Sequence, residues 1–214
     1  MRCLYCKSEI KKFNLSSIIF ETDQLCIDCR SKLKINRKII DIGSLKVETL
    51  YNYDDGIFRD LLIQYKECYD EALANVFLYM IKDYIKIKYH SYHIVYVPSS
   101  DRKRELRGFN HLKLIFNDLG LMEVDGLTMK RQLIQEGMNY SQRKMMLDNY
   151  IYCGERLNKV LIVDDVVTTG SSLLGVYKAI EPYCADIKAL SLARKETAFI
   201  NRNMCARIKK RRII

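Results

Sequence analysis

The sequence predicts an α/β protein: a parallel sheet flanked by helices, preceded by a small N-terminal four-cysteine zinc-binding domain. Three observations carry this. Two CxxC pairs stand within the first 29 residues. Residues 45–200 alternate between short apolar stretches of strand type and amphipathic stretches of helix type, the pattern of an α/β unit. One of the apolar stretches runs directly into two aspartates and a turn of small residues, and ligands bind at such strand ends.

The head comes first. Cys3-x2-Cys6 and Cys26-x2-Cys29 are separated by nineteen residues. Two residues between cysteines let both thiolates bind one ion from a tight knuckle, and four thiolates close a tetrahedral Zn²⁺ site with no open position. A redox dithiol needs one pair, and here there are two. So short a segment cannot bury a core of its own, so the metal supplies the folding energy. Cys68, Cys153, Cys184 and Cys205 have no ligand spacing and read as core or incidental thiols. The expected domains are 1–40, the cysteine head, and 45–214, the α/β body with a basic tail.

In the body, 45–53 reads as a strand, with Val47, Leu50 and Tyr51 among polar residues. Ile57, Leu61, Leu62 and Tyr65 recur at helical spacing, and a longer helix is expected through Leu73, Val76, Phe77, Met80, Ile81 and Tyr84. His93 to Val97 reads as a buried strand stopped by Pro98. The spacing predicts a helix from Phe109 to Leu119, with Gly120 as its C-cap. Val160 to Val163 is a four-residue apolar strand, 173–183 a helix and 187–193 the last strand.

The sharpest feature spans 160–172. Asp164 and Asp165 follow the apolar strand, and Thr168, Thr169, Gly170, Ser171 and Ser172 form a turn that opens a helix. Small residues let backbone N–H groups close around an anion, the hydroxyls add donors, and the helix dipole favours negative charge. A phosphate in the turn with vicinal hydroxyls against the carboxylates describes a ribose 5-phosphate. The plain alternative is helix N-capping by these polar residues. The glycine pattern is neither a Walker A loop nor GxGxxG.

Charge narrows the function classes. The chain has 36 Lys+Arg against 26 Asp+Glu, a net +10. Residues 1–40 hold +5 of this and 201–214 hold +6, which leaves −1 over the rest. The run Arg207, Lys209, Lys210, Arg211, Arg212 is the densest part, read either as a solvated tail or as a contact to nucleic-acid phosphates. No apolar run follows Met1 as a secretion signal would, and no apolar stretch approaches the ~20 residues that span a bilayer. A cytoplasmic protein without a disulfide framework is expected.

These residues carry a resemblance. The segment 160–172 resembles the PRPP-binding motif of type I phosphoribosyltransferases. The resemblance gives Asp164 and Asp165 the catalytic, ribose-contacting place and Thr168 to Ser172 the 5-phosphate, with Mg²⁺ joining the pyrophosphate and ribose oxygens. Tyr51-x-Tyr53-x2-Gly56-x2-Arg59-x2-Leu62-x3-Lys66 is similar to the opening of the transferase-like domain of the ComF family, late-competence proteins of bacterial DNA uptake. Val97-Pro98, Arg104-x2-Arg107-Gly108-Phe109-Asn110, and Gln135 with Arg143 resemble further blocks of that family, as does a four-cysteine N-terminus. His111, Cys68-Tyr69-Asp70 and Met138 depart from its usual residues.

The resemblance implies a role in DNA uptake and natural transformation. It also implies PRPP or a related ribose phosphate as ligand and a competence helicase or translocase of ComFA type as partner, at the inner face of the membrane. Single-stranded DNA is the expected polyanion. By their chemistry, Ser99, Ser100, Arg104 and Arg107 suit a pyrophosphate, although Asp101 and Glu105 make a solvated loop an equal reading. The polar stretch 130–144, with Arg131, Tyr140, Arg143 and Lys144, suits a loop covering the active site or a track for single-stranded DNA. A working phosphoribosyltransferase of the salvage type is the alternative to the DNA-processing role.

Overall fold

The computed structural model describes residues 1–10, 24–98, 108–129 and 149–196. They group into two compact units. One comprises the described parts of Met1–Ile35, Asp55–His90 and Ser99–Gly120, and the other those of Asn36–Asp54, Ser91–Pro98 and Leu121–Ile214.

The first unit is the cysteine head with helices. α1 (Ile27–Lys32) begins directly after Cys26. α2 (Gly56–Glu67) turns Phe58, Leu61, Leu62 and Tyr65 inward, one apolar stripe at helical spacing. The long helix expected through 73–84 is instead broken. Glu71–Val76 is a 3₁₀ segment, a turn follows, and α3 (Lys82–Tyr89) starts after Ile81, whose φ of −132° leaves the helical region. Packing overrides propensity here. Phe77 lies edge-on to Phe58 and Tyr65, at 5.8 and 5.6 Å between ring centres, while Met80, expected on the buried face, is exposed. α4 (His111–Phe116) runs into a 3₁₀ turn, Asn117–Leu119, capped by Gly120 in the left-handed conformation at φ 66°. The Tyr65 hydroxyl donates to the His111 carbonyl at 2.7 Å, which ties α4 to α2.

The second unit is built on a five-stranded sheet in the order β1–β2–β7–β6–β3. β1 is Lys38–Ile42, β2 Leu45–Asn52, β3 His93–Tyr96, β6 Leu157–Val167 and β7 Cys184–Arg194. β2, β7, β6 and β3 are mutually parallel, and β1 is an antiparallel edge. Val160 to Val163 are fully buried without alternation, as expected of a central parallel strand covered on both faces. α5 (Ser171–Ile180) buries Leu173, Val176 and Ile180, and a 3₁₀ turn, Glu181–Tyr183, leads into β7. β4 (Leu127–Met129) and β5 (Tyr150–Tyr152) form a separate antiparallel pair. β1, β4 and β5 have no counterpart in the sequence reading. β1 straddles the end of the segment read as the basic head, and the other two are three residues long.

A buried polar group completes the sheet end. Arg194, with a side chain 3% exposed, donates to the Asn36 carbonyl at 3.0 Å, to Thr49 Oγ1 at 3.2 Å and to Glu196 at 2.7 Å. Glu196 also pairs with Lys38 at 3.1 Å. Three acceptors thus meet this buried guanidinium, as burying a charge requires.

Candidate functional site

Two sites are built locally. The first is the cysteine cluster. The Cys3 N–H donates to the Ser8 carbonyl at 2.8 Å and the Lys7 N–H to the Cys3 carbonyl at 3.0 Å, closing the first knuckle. Lys7 takes a left-handed φ of 63° to make that turn. The second knuckle is the start of α1, where the Arg30 N–H donates to the Cys26 carbonyl at 2.9 Å. The Sγ atoms of Cys3, Cys6, Cys26 and Cys29 all lie within 4.8 Å of one another, with Cys6 and Cys26 at 3.6 Å. A tetrahedron of Zn–S bonds near 2.3 Å has edges of about 3.8 Å, so the four sulfurs fit a zinc ion. The Ser8 hydroxyl, 3.0 Å away, and the Ser8 backbone hold the Cys6 thiol down to about 6, a thiolate at neutral pH. Burial pushes the Cys29 thiol up, and the neighbouring sulfurs of Cys26, Cys6 and Cys3 add to this.

The cluster is anchored to its own unit. Tyr5 donates to Asp60 of α2 at 2.9 Å, and Gln64 donates to the Leu4 carbonyl at 3.3 Å. Arg30 donates to the Val76 carbonyl at 2.9 Å and lies over the Tyr79 ring at 5.0 Å.

The second site is the end of β6. The strand runs further than its apolar residues. β3 pairs only as far as Val163, but β7 continues alongside β6 to Val167, with Asp164 opposite Ser191. Asp164 and Asp165 therefore lie within the strand rather than beyond it. They stand half-buried where the sheet has lost β3 on one side. The Asp165 N–H donates to Asp164 Oδ1 at 2.9 Å and the Val166 N–H to Asp165 Oδ1 at 2.5 Å. The fully buried Ser191 donates to the Asp165 carbonyl at 3.0 Å, a support that no sequence pattern announces.

The turn beyond is shaped by Gly170, which is the N-cap of α5 at φ 72°, ψ 9° and makes no side-chain cap bond. Each aspartate accepts from the N–H of the residue that follows it. Thr169 and Ser171 share a hydroxyl hydrogen bond at 2.9 Å, and Thr168, Thr169 and Ser172 are exposed. Carboxylates, three exposed hydroxyls and the first turn of a ten-residue helix thus stand at one sheet end. Such a turn offers N–H groups and a positive dipole end to an anion. The carboxylates supply hard oxygens of the type Mg²⁺ takes.

Tyr150, unremarked in the sequence, also belongs here. Burial raises its phenol above the ordinary range. The Asp164 charge adds to this, and a hydrogen bond with Ser172 acts the other way.

Ser99, Ser100, Arg104 and Arg107 lie outside the described residues, as do Arg131, Gln135, Met138, Tyr140, Arg143, Lys144 and the run 207–212. Among the described residues no helix is long and apolar enough to cross a membrane.

No family model matches the chain. It is similar to Competence protein ComFC of Streptococcus pneumoniae (strain ATCC BAA-255 / R6), at 27% identity over 222 aligned positions, which cover 91% of this chain and 100% of that protein. The likeness runs the whole length of that relative, and the chain that carries it has a four-cysteine head and a central strand holding paired acids.

Proposed function

We propose that the chain is a competence protein acting in DNA uptake, and that its α/β body binds a ribose phosphate of the PRPP class at the end of β6. The similarity to ComFC supports the competence role. The single observation that carries the ligand reading is the juxtaposition of Asp164 and Asp165 with the Gly170 turn. In this reading Thr168 to Ser172 take the 5-phosphate through hydroxyls and helix N–H groups, and Asp164 and Asp165 take the ribose hydroxyls. Mg²⁺, when bound, neutralises the pyrophosphate. Ser99, Ser100, Arg104 and Arg107 are assigned to that pyrophosphate by their chemistry.

The functional division is 1–40, a zinc-held head, and 45–214, a phosphoribosyltransferase-like body with a basic tail. The basic ends contact single-stranded DNA electrostatically, and the head or tail meets a ComFA-type helicase or translocase on the cytoplasmic side of the membrane. The test is a calorimetric titration with PRPP and Mg²⁺, with and without a single-stranded oligonucleotide. Asp164→Asn with Asp165→Asn is expected to abolish PRPP binding, and unchanged affinity refutes the site. Competition by the oligonucleotide puts DNA in the site, and independence puts it on the ends. Absence of oligonucleotide binding at low salt, with intact transformation after charge reversal in 207–212, removes the DNA reading.

A second reading, a working phosphoribosyltransferase, is favoured by the two half-buried carboxylates beside an anion-suited turn. Orientation and charge stabilisation supply the catalysis of an oxocarbenium-like transfer. Release of pyrophosphate from PRPP by the wild type, lost in the double Asn variant, distinguishes it from simple binding.

A further inference from the structure

Side chains from three elements converge at the end of β6. Tyr150 opens β5 and pairs with Met129 across the β4–β5 ladder. β5 packs against α5, which brings the half-buried phenol into a hydrogen bond with Ser172 in the first turn of that helix, and into the field of the Asp164 carboxylate on β6.

The hairpin that carries it is firmly tied. The Cys153 N–H donates to the Gly126 carbonyl at 3.0 Å, and Tyr152 donates to the Glu155 carbonyl at 2.7 Å. Gly126, at φ 91°, approaches Gly154 so closely that a Cβ on it would stand 2.9 Å from the Gly154 nitrogen. Tyr150 is therefore held on a support of fixed geometry beside the site.

We propose that Tyr150 is a ligand-contacting residue of the phosphate site. Bonded to Ser172 and in the field of the Asp164 carboxylate, its phenol donates to a ligand oxygen where the sugar joins its phosphate. The inference rests on the ribose-phosphate reading above. A phenol suits this place better than the usual phosphate-binding cations. A lysine or arginine between a carboxylate and a phosphate divides its charge between them. A neutral hydroxyl donates to the phosphate without pairing with Asp164. The burial and the carboxylate that surround it keep the proton on the oxygen throughout the physiological range, so no second anion enters the site.

The experiment is titration of ribose 5-phosphate, and of PRPP with Mg²⁺, into the full chain and into Tyr150→Phe, Ser172→Ala and the double variant. Tyr150→Phe keeps the ring and is expected to weaken both ligands about 5- to 20-fold, the scale of one hydrogen bond to a charged group. It should leave the ligand-free melting temperature within a few degrees. The two hydroxyls share a bond, so their losses are expected to be less than additive. Wild-type affinity should also fall as pH climbs past the ordinary phenol range near 10, while Tyr150→Phe stays flat across the same interval. A merely structural tyrosine produces no such difference. Wild-type binding that Tyr150→Phe matches, with parallel pH profiles, overturns this inference and leaves the phosphate site standing. Failure of the wild type to bind either ligand overturns both.

Discussion

Gly170→Ala puts a methyl group where the fold has no room for it. The added Cβ would stand 2.4 Å from Ile42 Cδ1, 2.7 Å from its Cγ2 and 3.2 Å from its Cγ1. Two costs add. Holding alanine at φ +72° costs about 1–2 kcal/mol, because the left-handed region sets Cβ against the following carbonyl. Pressing the methyl group into Ile42, which is 4% exposed, costs about 1–2 kcal/mol more as overpacking. The expected loss is about 2–4 kcal/mol in urea denaturation of the metal-loaded chain.

Ile42→Ala removes all three crowding atoms and separates the two terms. In that background Gly170→Ala is expected to cost only the backbone part, about 1–2 kcal/mol, which leaves a coupling of similar size. A cost below about 0.5 kcal/mol for the single variant, or an identical cost in both backgrounds, refutes the picture of a turn wedged onto the edge strand.

The remaining expectations are separable from one another. Elemental analysis is expected to find one zinc per chain, lost in Cys29→Ser, and zinc retention should fall as pH drops because protons compete for the thiolates. Retention of full zinc by Cys29→Ser removes the four-thiolate assignment. Arg194→Met strips three hydrogen bonds from a buried site and is expected to cost about 2–3 kcal/mol in chemical denaturation. No change in midpoint contradicts that. Tyr92→Phe loses a 2.5 Å bond to Asp186 and is expected to cost about 1–2 kcal/mol near neutrality. Burial and this bond raise the Tyr92 phenol to about 12, so its contribution is full below the ordinary value near 10 and is lost as pH rises through 12. Wild type and variant should therefore converge on the alkaline side, and a constant gap excludes the linkage.

What was legible in the sequence was what local pattern dictates. Val160 to Val163 is an apolar run that only a covered central strand accommodates, and the cysteine spacing brings four sulfurs together without tertiary knowledge. Gly120 announced its cap because the chain there needs a positive φ. What stayed hidden depends on partners distant in sequence. The extension of β6 through Asp164 and Asp165 exists because β7 continues beside it. The break near Ile81 answers to Phe77 packing on α2, not to a helix-breaking residue. β1 is an ordinary Lys-Ile-Ile-Asp-Ile stretch until β2 pairs with it. Tyr150 lies in no motif, and Ser191 looks like any strand serine until its bond to the Asp165 carbonyl is seen.

The order of the strands has a consequence for synthesis. Of the described strands β7 is the last to leave the ribosome, yet it lies between β2 and β6. Val47 must wait for Ala189, and a nascent chain that has reached only β6 holds two sheet fragments with open edges and nothing to join them. Ser191, which steadies the Asp165 backbone, arrives with that strand, as does Arg194, whose neighbour Lys195 bonds to Val167 at 3.0 Å. A chain stalled before residue 184 thus carries every residue from Asp164 to Ser172 and lacks the strand that holds them in line. Ligand-binding competence should appear abruptly in a series of C-terminal truncations, at β7.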